Sequence, residues 1–510
     1  MKLAELVGQR MVIGIPGTRI TPENVRHFEE LHAGGLILYR RNFDSPVQIR
    51  KLIVDLEEAL GRKLLVTTDH EGGRVIMFRD GITVFPDNMA LGSAGNIGYA
   101  RQQGEIEAKE LRRLGMDVNL APVLDVLTEA YSPNIGIRSY GQEWQLVARM
   151  GAARIAAMQQ GGLSACAKHF PGKGHAPVDA HLGLPVIGST WKEMEAVHLK
   201  PFVAAIQTGV DLVMSSHPYY PKLDPYPNMI ATFSKKIIYD YLRCELNFKG
   251  VITSDDLEMG AIKAICPIGE AGILATQAGH DLLLVCHDPK AQREVYYRLL
   301  EAYKSKQLPL KELEESAARI NRLKSKRPQR FAGGEPAAEP AGSSLAARIC
   351  RESVQVLKDE RKLIPLQRNE PSIAVILPRF SALDAKIMIE REVLPERDFL
   401  RNEFKKFGFN PEIQIVSIEP AEAEIQQAVN LAKKSDVTIL FCYDAHLYPG
   451  NKKLLDSIQT AAPKLVVDLL RDPYDAAFIK AGVACLTDFG WRACQIKAAI
   501  EKICAGEMPR

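Results

Sequence analysis

One short stretch of the chain, Lys168–His181, carries more ionisable side chains than a packed core would need. It holds three histidines, two lysines and an aspartate among glycines and prolines. It follows the apolar run Leu163–Ala167, which predicts a buried strand. Glycine and proline mark loops, and catalytic groups are often held on loops at the ends of rigid strands. The sequence therefore predicts a functional site here, and a polar surface loop is the simpler alternative.

The end of this stretch suggests an acid–base device. Asp179 stands two residues before His181, and a nearby carboxylate can set the protonation of an imidazole. Lys168 and His169 stand at the predicted strand end and should be held rigidly. Asp179 and His181 come after glycines and prolines, so they are candidates for a mobile general acid. His175 is interpreted as a simple loop contact.

Other apolar runs also end in polar side chains. Asp69 begins the run DHEGGRV at 69–75, where it could bind a polyol or merely pair with Arg74. Arg138 lies in a loop and could offer a rigid donor fork to a hydroxyl or a carboxylate. Asp255 ends a buried apolar run, a costly place for an acid unless it is hydrogen-bonded or functional. Asp256 should face the opposite way and make a structural contact.

Together these residues would supply a fixed carboxylate, an Asp–His pair and several donors for hydroxyl groups. A carboxylate nucleophile with a separate proton donor is the apparatus of retaining glycoside hydrolysis. Metal-dependent hydrolysis is the main competitor, but the chain lacks the HExxH spacing of helical metal ligands. Phosphate chemistry is less favoured because the chain lacks a P-loop.

The elements that must position these residues alternate between short apolar runs and amphipathic helical patterns. This alternation predicts a parallel α/β sheet, either a (β/α)₈ barrel or an open doubly wound sheet. The barrel is favoured because it gathers every strand's carboxyl end at one mouth, and most runs end in a polar residue. Ser45 and Pro46 predict the start of a helix over 46–60, and a further amphipathic helix is predicted over 191–207. The eight predicted strands are Met11–Pro16, Gly34–Tyr39, Lys63–Asp69, Asp117–Leu124, Leu163–Ala167, Asp211–His217, Gly250–Asp255 and Asp281–Cys286.

The chain divides by pattern into a barrel domain over 1–325, a linker over 326–345 and a smaller α/β three-layer sandwich domain over 346–510. The linker is rich in proline, glycine and alanine without apolar periodicity. A helix is predicted over 345–357, followed by five strands, over 373–377, 413–416, 437–442, 465–470 and 483–487. No cluster of acids, histidines or phosphate-binding glycines stands out after residue 345, which favours a structural or dimerising role.

Composition narrows the class of protein. Hydrophobic residues at 46% and charged residues at 25% are typical of a folded globular chain and argue against disorder. A net charge of +3 is too small to indicate a nucleic-acid partner. Nine cysteines scattered without a CxxC pair give no zinc signature and favour a reducing compartment. We therefore expect a cytoplasmic protein without a nucleic-acid or membrane partner.

From residue 1 to about 320 the chain resembles glycoside hydrolase family 3, in its bacterial β-N-acetylhexosaminidase branch. The resemblance rests on DHEGGRV at 69–75, KHFPGKGH with DAH over 168–181, and ITSDDLEM at 252–259. It implies a barrel with its active site at the carboxyl mouth. It also implies a terminal β-linked N-acetylglucosamine substrate, typically from peptidoglycan turnover fragments. With this resemblance we expect a monomer or homodimer that acts on a small saccharide or muropeptide without metal or cofactor.

The resemblance also implies roles for single residues. Asp255 matches the catalytic nucleophile, His181 the acid/base and Asp179 its partner. Most retaining glycosidases use two carboxylates, but a histidine with an unperturbed pKa near 6.5 also suits proton exchange at neutral pH. The positions that match sugar-binding residues are Asp69, Arg138, Lys168, His169 and, more weakly, His217.

The chain departs from the family pattern at Lys173, where the loop commonly has histidine. We expect altered loop contacts rather than lost chemistry, since Asp179 and His181 remain. A glycoside phosphorylase stays open as an alternative, because a histidine does not repel an incoming phosphate. A β-glucosidase of the same family is a second alternative. A non-catalytic sugar-binding protein is the alternative from another class.

Overall fold

The computed structural model describes residues 2–129, 131–176, 184–326, 331, 334–367, 372–379 and 396–505. It separates into two compact units. The first contains Met1–Glu71, Val75–Val84 and Asn96–Ser343, and the second contains Gly72–Arg74, Phe85–Gly95 and Ser344–Arg510. Within the described ranges, no helix combines the length and the apolar character needed to cross a membrane.

The strands form a closed barrel, β1 to β8, and a separate six-stranded sheet, β9 to β14. In chain order the strands are Met11–Gly14 (β1), Gly35–Leu38 (β2), Leu65–Thr68 (β3), Val118–Asn119 (β4), Ser164–Phe170 (β5), Leu212–Ser215 (β6), Val251–Asp256 (β7), Leu282–Val285 (β8), Gln355–Lys358 (β9), Ile373–Pro378 (β10), Glu412–Val416 (β11), Val437–Tyr443 (β12), Leu465–Leu470 (β13) and Ala484–Thr487 (β14).

Helices lie between most of these strands. In chain order the α-helices are Leu3–Gln9 (α1), Pro22–Glu30 (α2), Pro46–Leu60 (α3), Asn88–Ala94 (α4), Ile97–Leu114 (α5), Trp144–Gln160 (α6), Trp191–Glu193 (α7), Lys200–Gln207 (α8), Gly260–Lys263 (α9), Ile268–Ala278 (α10), Pro289–Lys304 (α11), Leu310–Ser325 (α12), Pro340–Ser353 (α13), Glu396–Lys405 (α14), Glu422–Lys434 (α15), Pro449–Ala461 (α16) and Ala493–Ala505 (α17). Ser45 caps α3 as predicted, since its side chain accepts a hydrogen bond from the backbone of Gln48.

The predicted barrel is confirmed. Each strand from β1 to β8 pairs in parallel with the next, and β1 pairs with β8 to close the ring. The strands form because runs of branched and aliphatic residues are buried on both faces of a parallel sheet. Side chains that point inward fill the barrel, as in Val12, Ile37, Leu65, Val118 and Val251, all at most 2% exposed. The barrel is therefore a packed core, and chemistry is confined to its ends.

Three predicted elements of the barrel differ in extent from the structure. β4 is only two residues long, Val118–Asn119, because Pro122 has no N–H to donate to a sheet ladder. β5 runs on to Phe170, so Lys168 and His169 are part of the strand rather than of the loop. The helix predicted over 191–207 is interrupted by a π-helical segment, Met194–His198, just before Pro201. A proline within a helix removes a backbone donor and explains the interruption.

The second unit is a mixed sheet with the order β11-β10-β12-β13-β14-β9. Its strands are parallel except β9, which pairs antiparallel with β14. The helix predicted over 345–357 is present but ends earlier than predicted: α13 ends at Ser353, and the chain continues into β9. Val356 lies in β9, where a β-branched residue suits a strand. The other five strands of this sheet were predicted, with ends within one residue of those observed.

A buried ion pair between α5 and α6 provides a test of the barrel's packing. Arg154 donates to both carboxylate oxygens of Glu107, at 2.9 and 2.7 Å, and neither side chain is more than 1% exposed. Replacing Arg154 by leucine would leave the Glu107 carboxylate buried without a cation. We expect a loss of about 3–5 kcal/mol in the free energy of unfolding, measured by urea denaturation followed by circular dichroism.

The matched control is Arg101→Leu, also in the α5–α6 pair of helices. Arg101 is 3.6 Å from Glu105, and both side chains are at least half exposed. This change should alter the free energy of unfolding by no more than about 0.5 kcal/mol. Equal effects of the two substitutions would contradict the assignment of Arg154 and Glu107 as a structural pair.

Candidate active site

The polar residues that follow the barrel strands meet at the carboxyl mouth. Asp69 follows β3, and Lys168 and His169 are the last polar residues of β5. His217 follows β6, and Asp255 lies in the last two residues of β7. Since the strands are parallel and the barrel is closed, these positions come from one end of the same ring. The structure thus brings them to one place although they are far apart in the sequence.

Lys168 joins two carboxylates in the mouth. Its ammonium group lies 2.7 Å from Asp69 Oδ1 and 2.6 Å from Glu71 Oε1, and its side chain is 2% exposed. Burial by itself would lower the pKa of Lys168, but the two carboxylates outweigh burial and raise it. Lys168 therefore stays charged and holds Asp69 in place. Asp69 pairs with this lysine, and the Asp69–Arg74 pair considered from the sequence is not what fixes it.

Glu71 is a site residue that the sequence analysis missed. Arg138 donates to both of its carboxylate oxygens, at 2.8 and 2.7 Å, and Lys168 contacts the same group. Burial would raise the pKa of Glu71, but Arg138 and Lys168 outweigh it and hold that pKa far below its usual range. The donor fork predicted for Arg138 thus has a carboxylate partner inside the protein. The sequence signal that could have identified Glu71 is an acid two residues after Asp69 in the run DHEGGRV.

His169 is held by a second buried acid, Asp125. The Nδ1 atom of His169 lies 2.7 Å from Asp125 Oδ2, and the backbone N–H of Lys173 donates to Asp125 Oδ1 at 2.7 Å. Burial, followed by the nearby cations, lowers the pKa of His169 well below its usual value. The ring is therefore neutral, with Nδ1–H donating to Asp125. Its Nε2 faces Arg138 at 3.5 Å and is an acceptor.

Asp255 is a carboxylate kept ionised in a largely buried place. Its Oδ1 accepts a hydrogen bond from the backbone of Asp256 at 2.9 Å, and its side chain is 19% exposed. The ammonium group of Lys173 lies 3.9 Å from Asp255 Oδ2. Burial would raise the pKa of Asp255, but Lys173, His217 and Lys168 outweigh burial and lower it. An ionised carboxylate that still reaches the mouth suits a nucleophile.

Lys173 shows what the departure from the family pattern does. Its side chain is buried, and its charge lies beside Asp255 rather than in solvent. The contact that Lys173 makes in this loop is therefore with Asp255, the candidate nucleophile. The lysine places an amino group where the family pattern has an imidazole, whose unperturbed pKa lies near neutral pH.

Asp256 has the structural role that was expected of it. Its Oδ1 accepts from the backbone of Glu258 and of Cys286, and its Oδ2 lies 3.2 Å from His287 Nε2. These contacts tie the end of β7 to the end of β8. The neighbouring Asp255 is left to face the mouth, as the alternation of side chains along a strand requires.

His217 is buried, and both of its ring nitrogens have protein partners. Nδ1 lies 2.8 Å from the Thr232 hydroxyl, and Nε2 lies 3.0 Å from the backbone oxygen of Asp256. Burial lowers the pKa of His217, so the neutral ring donates from Nε2 and accepts at Nδ1. His217 thus supports the backbone of Asp256, next to Asp255, and its contact with a sugar stays a prediction.

The loop after β5 depends on close backbone approach. A side chain at Gly174 would place its Cβ 2.0 Å from the Val126 carbonyl oxygen, so only glycine fits there. His175 makes the loop contacts predicted for it: its Nε2 lies 3.0 Å from the Ser189 hydroxyl, and its ring stacks on that of His198. Asp179 and His181, the predicted acid–base pair, lie outside the described residues.

Comparison with known proteins agrees with this fold. Residues 2–323 match the model of the glycosyl hydrolase family 3 N-terminal domain. A β-hexosaminidase of Nitrosomonas eutropha is 37% identical over 291 residues, which cover 56% of this chain and 82% of that protein. A β-hexosaminidase of Idiomarina loihiensis is 36% identical over 318 residues, covering 62% of this chain and 92% of that protein.

A solved structure resembles both units. The glycoside hydrolase family 3 β-N-acetylglucosaminidase of Paenibacillus sp. FPU-7 is 30% identical, with a TM-score of 0.92. The similarity covers 99% of this chain and 97% of that one. Since the family model spans more than half of the sequence, this chain belongs to glycosyl hydrolase family 3 and is a glycoside hydrolase.

Proposed function

We propose that the protein is a retaining exo-β-N-acetylglucosaminidase. In this proposal it removes terminal β-linked N-acetylglucosamine, and its natural substrates are peptidoglycan turnover fragments. The observation that carries the mechanism is the ionised Asp255 carboxylate at the barrel mouth, held beside Lys173. The substrate class is supported by the similarity of nearly the whole chain to the Paenibacillus β-N-acetylglucosaminidase.

In the first step, Asp255 attacks the anomeric carbon of the terminal sugar. The bond from that carbon to the leaving oxygen breaks as His181, oriented by Asp179, gives its proton to that oxygen. The product is a covalent ester between Asp255 and the sugar. A low pKa suits this role of Asp255, because the carboxylate must be unprotonated before it attacks.

In the second step, water replaces Asp255 at the anomeric carbon. His181 accepts a proton from the water while the ester bond to Asp255 breaks, which releases the sugar with its original configuration. Two displacements on opposite faces of the sugar give this retention. A histidine that first donates and then accepts a proton is ready for the next turnover.

We propose that Asp69, Arg138, Lys168 and His169 bind the hydroxyl groups of the sugar. Lys168 has three N–H donors, and Asp69 and Glu71 occupy two of them. Asp69 is 18% exposed at its side chain and can accept from a hydroxyl. His217 would act mainly by supporting the end of β7. A structural or dimerising role for the second unit, without a catalytic residue, stays a prediction, and so does the cytoplasmic location.

The reaction and the nucleophile are tested together with chromogenic β-glycosides. We expect release from the β-N-acetylglucosaminide and not from the matching β-glucoside, with no dependence on phosphate. Asp255→Asn should lower kcat/KM by at least about 10³-fold, since an amide cannot form the ester. Proton NMR of the first product should show the β-anomer.

Asp240→Asn is the matched control, because Asp240 is exposed and pairs with Lys235 far from the barrel mouth. Its activity should equal that of the unchanged protein. A preference for the glucoside would replace the proposed substrate, and phosphate-dependent release would indicate a phosphorylase. Full activity in Asp255→Asn would place the active site elsewhere, and inactivity of the folded unchanged protein would favour a sugar-binding role.

The charge of Lys173 should set the acid side of the pH profile. Lys173 helps to lower the pKa of Asp255, so replacing it by methionine should raise that pKa. Asp255 would then be protonated at a higher pH than in the unchanged protein. We expect the acid limb of kcat/KM to move upward by about 1 pH unit. The measurement is kcat/KM for the chromogenic substrate from pH 3 to 8.

Lys263→Met is the control for this experiment, since Lys263 is exposed at the end of α9. Its profile should coincide with that of the unchanged protein. Lys173→Arg, which keeps the positive charge, should also keep the acid limb near its original position. An acid limb that stays in place in Lys173→Met would show that the lysine does not control Asp255.

A further inference from the structure

The carboxyl edge of the second sheet gathers a set of buried polar residues. Asp444 directly follows β12, and Asp472 follows β13 by two residues. In doubly wound α/β sheets, ligands bind outside the carboxyl ends of the strands. The edge is therefore the place in this unit where a ligand site is expected.

Three potential ligand atoms converge at this edge. One carboxylate oxygen of Asp444, one of Asp472 and a ring nitrogen of His446 all lie within 4.8 Å of one another. Asp444 is fully buried, Asp472 is 1% exposed, and the side chain of His446 is 6% exposed. Two carboxylates and an imidazole form a ligand set that suits a divalent transition metal.

Asp444 carries the independent sign of a missing ligand. Arg471 Nη1 is hydrogen-bonded to its Oδ2, but its Oδ1 has no hydrogen-bond partner among the described residues. A buried carboxylate oxygen without a partner is costly in free energy. The arrangement is explained if Oδ1 faces a cation. Arg471, whose Nε also lies 3.3 Å from Asp472 Oδ2, then orients both carboxylates, as outer partners of metal ligands do.

His446 is already oriented in the way metal-bound histidines are. Asp475 is 1% exposed, and its Oδ1 lies 2.9 Å from His446 Nδ1. The same carboxylate accepts from the backbone N–H groups of Ala445 and His446, which fixes its position. A carboxylate on one ring nitrogen sets the tautomer and leaves Nε2 as the metal-binding nitrogen.

The charges of these residues match a divalent ion. Asp444, Asp472 and Asp475 bring three negative charges, and Arg471 brings one positive charge. With His446 neutral, the difference is two negative charges, which a divalent cation balances.

We propose that Asp444, His446 and Asp472 bind a divalent cation of the zinc class, with water as a fourth ligand. Tetrahedral zinc with bonds of about 2.0–2.2 Å holds its ligand atoms about 3.4 Å apart. Atoms that now lie within 4.8 Å of one another reach this spacing by small side-chain movements. The site is distinct from the residues of the proposed hydrolysis and does not depend on that proposal.

This inference corrects one statement of the sequence analysis. No cluster of acids and histidines was recognised after residue 345, but the edge of the sheet forms one. Asp444 and His446 are separated from Asp472 by a helix and a strand, so no local spacing shows that they meet. The sequence gives no CxxC or HExxH signal, because these ligands come from the ends of different strands.

Zinc titration of the full chain tests the proposal. After dialysis against a chelator, the protein should bind ZnCl₂ in isothermal titration calorimetry. His446→Gln and Asp472→Asn should each weaken this binding by about 100-fold or more, and Asp475→Asn by about 10–100-fold. CaCl₂ should bind far more weakly, since calcium takes oxygen ligands in larger number.

Two controls separate this site from other zinc binding. Asp255→Asn removes an acid of the barrel mouth. This variant should still bind the equivalent of zinc that His446→Gln loses. Asp456→Asn changes an acid on α16 that is 46% exposed at its side chain, and it should bind zinc as the unchanged protein does. Unchanged stoichiometry and affinity in both His446→Gln and Asp472→Asn would overturn the proposal. Calcium binding as tight as zinc binding would overturn the metal class.

Crystals of the unchanged protein give a test that needs no variant. After a soak in ZnCl₂, an anomalous difference map at the zinc edge should show a peak within about 2.3 Å of ligand atoms of Asp444, His446 and Asp472. Peaks confined to the barrel mouth or to surface histidines would overturn the proposal, even if the ligand variants fail to fold.

Discussion

The Glu71 carboxylate, held between Lys168 and Arg138, is the interaction on which the barrel mouth depends. It lies 2.6 Å from the lysine and accepts two hydrogen bonds from the arginine, in a place only 3% exposed. Without this anion, two buried cations would face each other. Because Glu71 balances both, Lys168 can also hold Asp69, and Arg138 can approach His169. One buried acid thus keeps the sugar-binding candidates in a single arrangement.

Throughout this mouth, neighbouring cations and burial shift the pKa values of the acids in opposite directions. The cations outweigh burial at some acids but not at others. Asp255 and Glu71 stay ionised because cations lie beside them. Asp125 has weaker support, and burial raises its pKa to about 6. His169 is kept neutral by burial and by neighbouring cations. The described part of the site therefore contains an ionised acid, Asp255, that reaches the opening, and a neutral histidine, His169.

Both units place their polar residues by the same rule, since parallel strands bring their carboxyl ends to one edge. In the barrel this edge is a closed ring, and in the second unit it is the edge of an open sheet. Asp444, Arg471 and Phe489, which each lie one or two residues beyond a strand of that sheet, have a positive φ. Such conformations are unusual for residues other than glycine, and they often accompany functional sites.

The sequence by itself determined the architecture, because apolar periodicity, helix caps and proline positions act over a few residues. The eight barrel strands and the helix over 46–60 follow from such local signals, and so does the choice of Asp255 over Asp256 as the residue facing the mouth. The role of Glu71, the approach of Lys173 to Asp255, the antiparallel strand β9 and the meeting of His446 with Asp472 followed only from the tertiary structure. Each depends on contacts between residues far apart in the chain, and strand register and barrel closure decide those contacts.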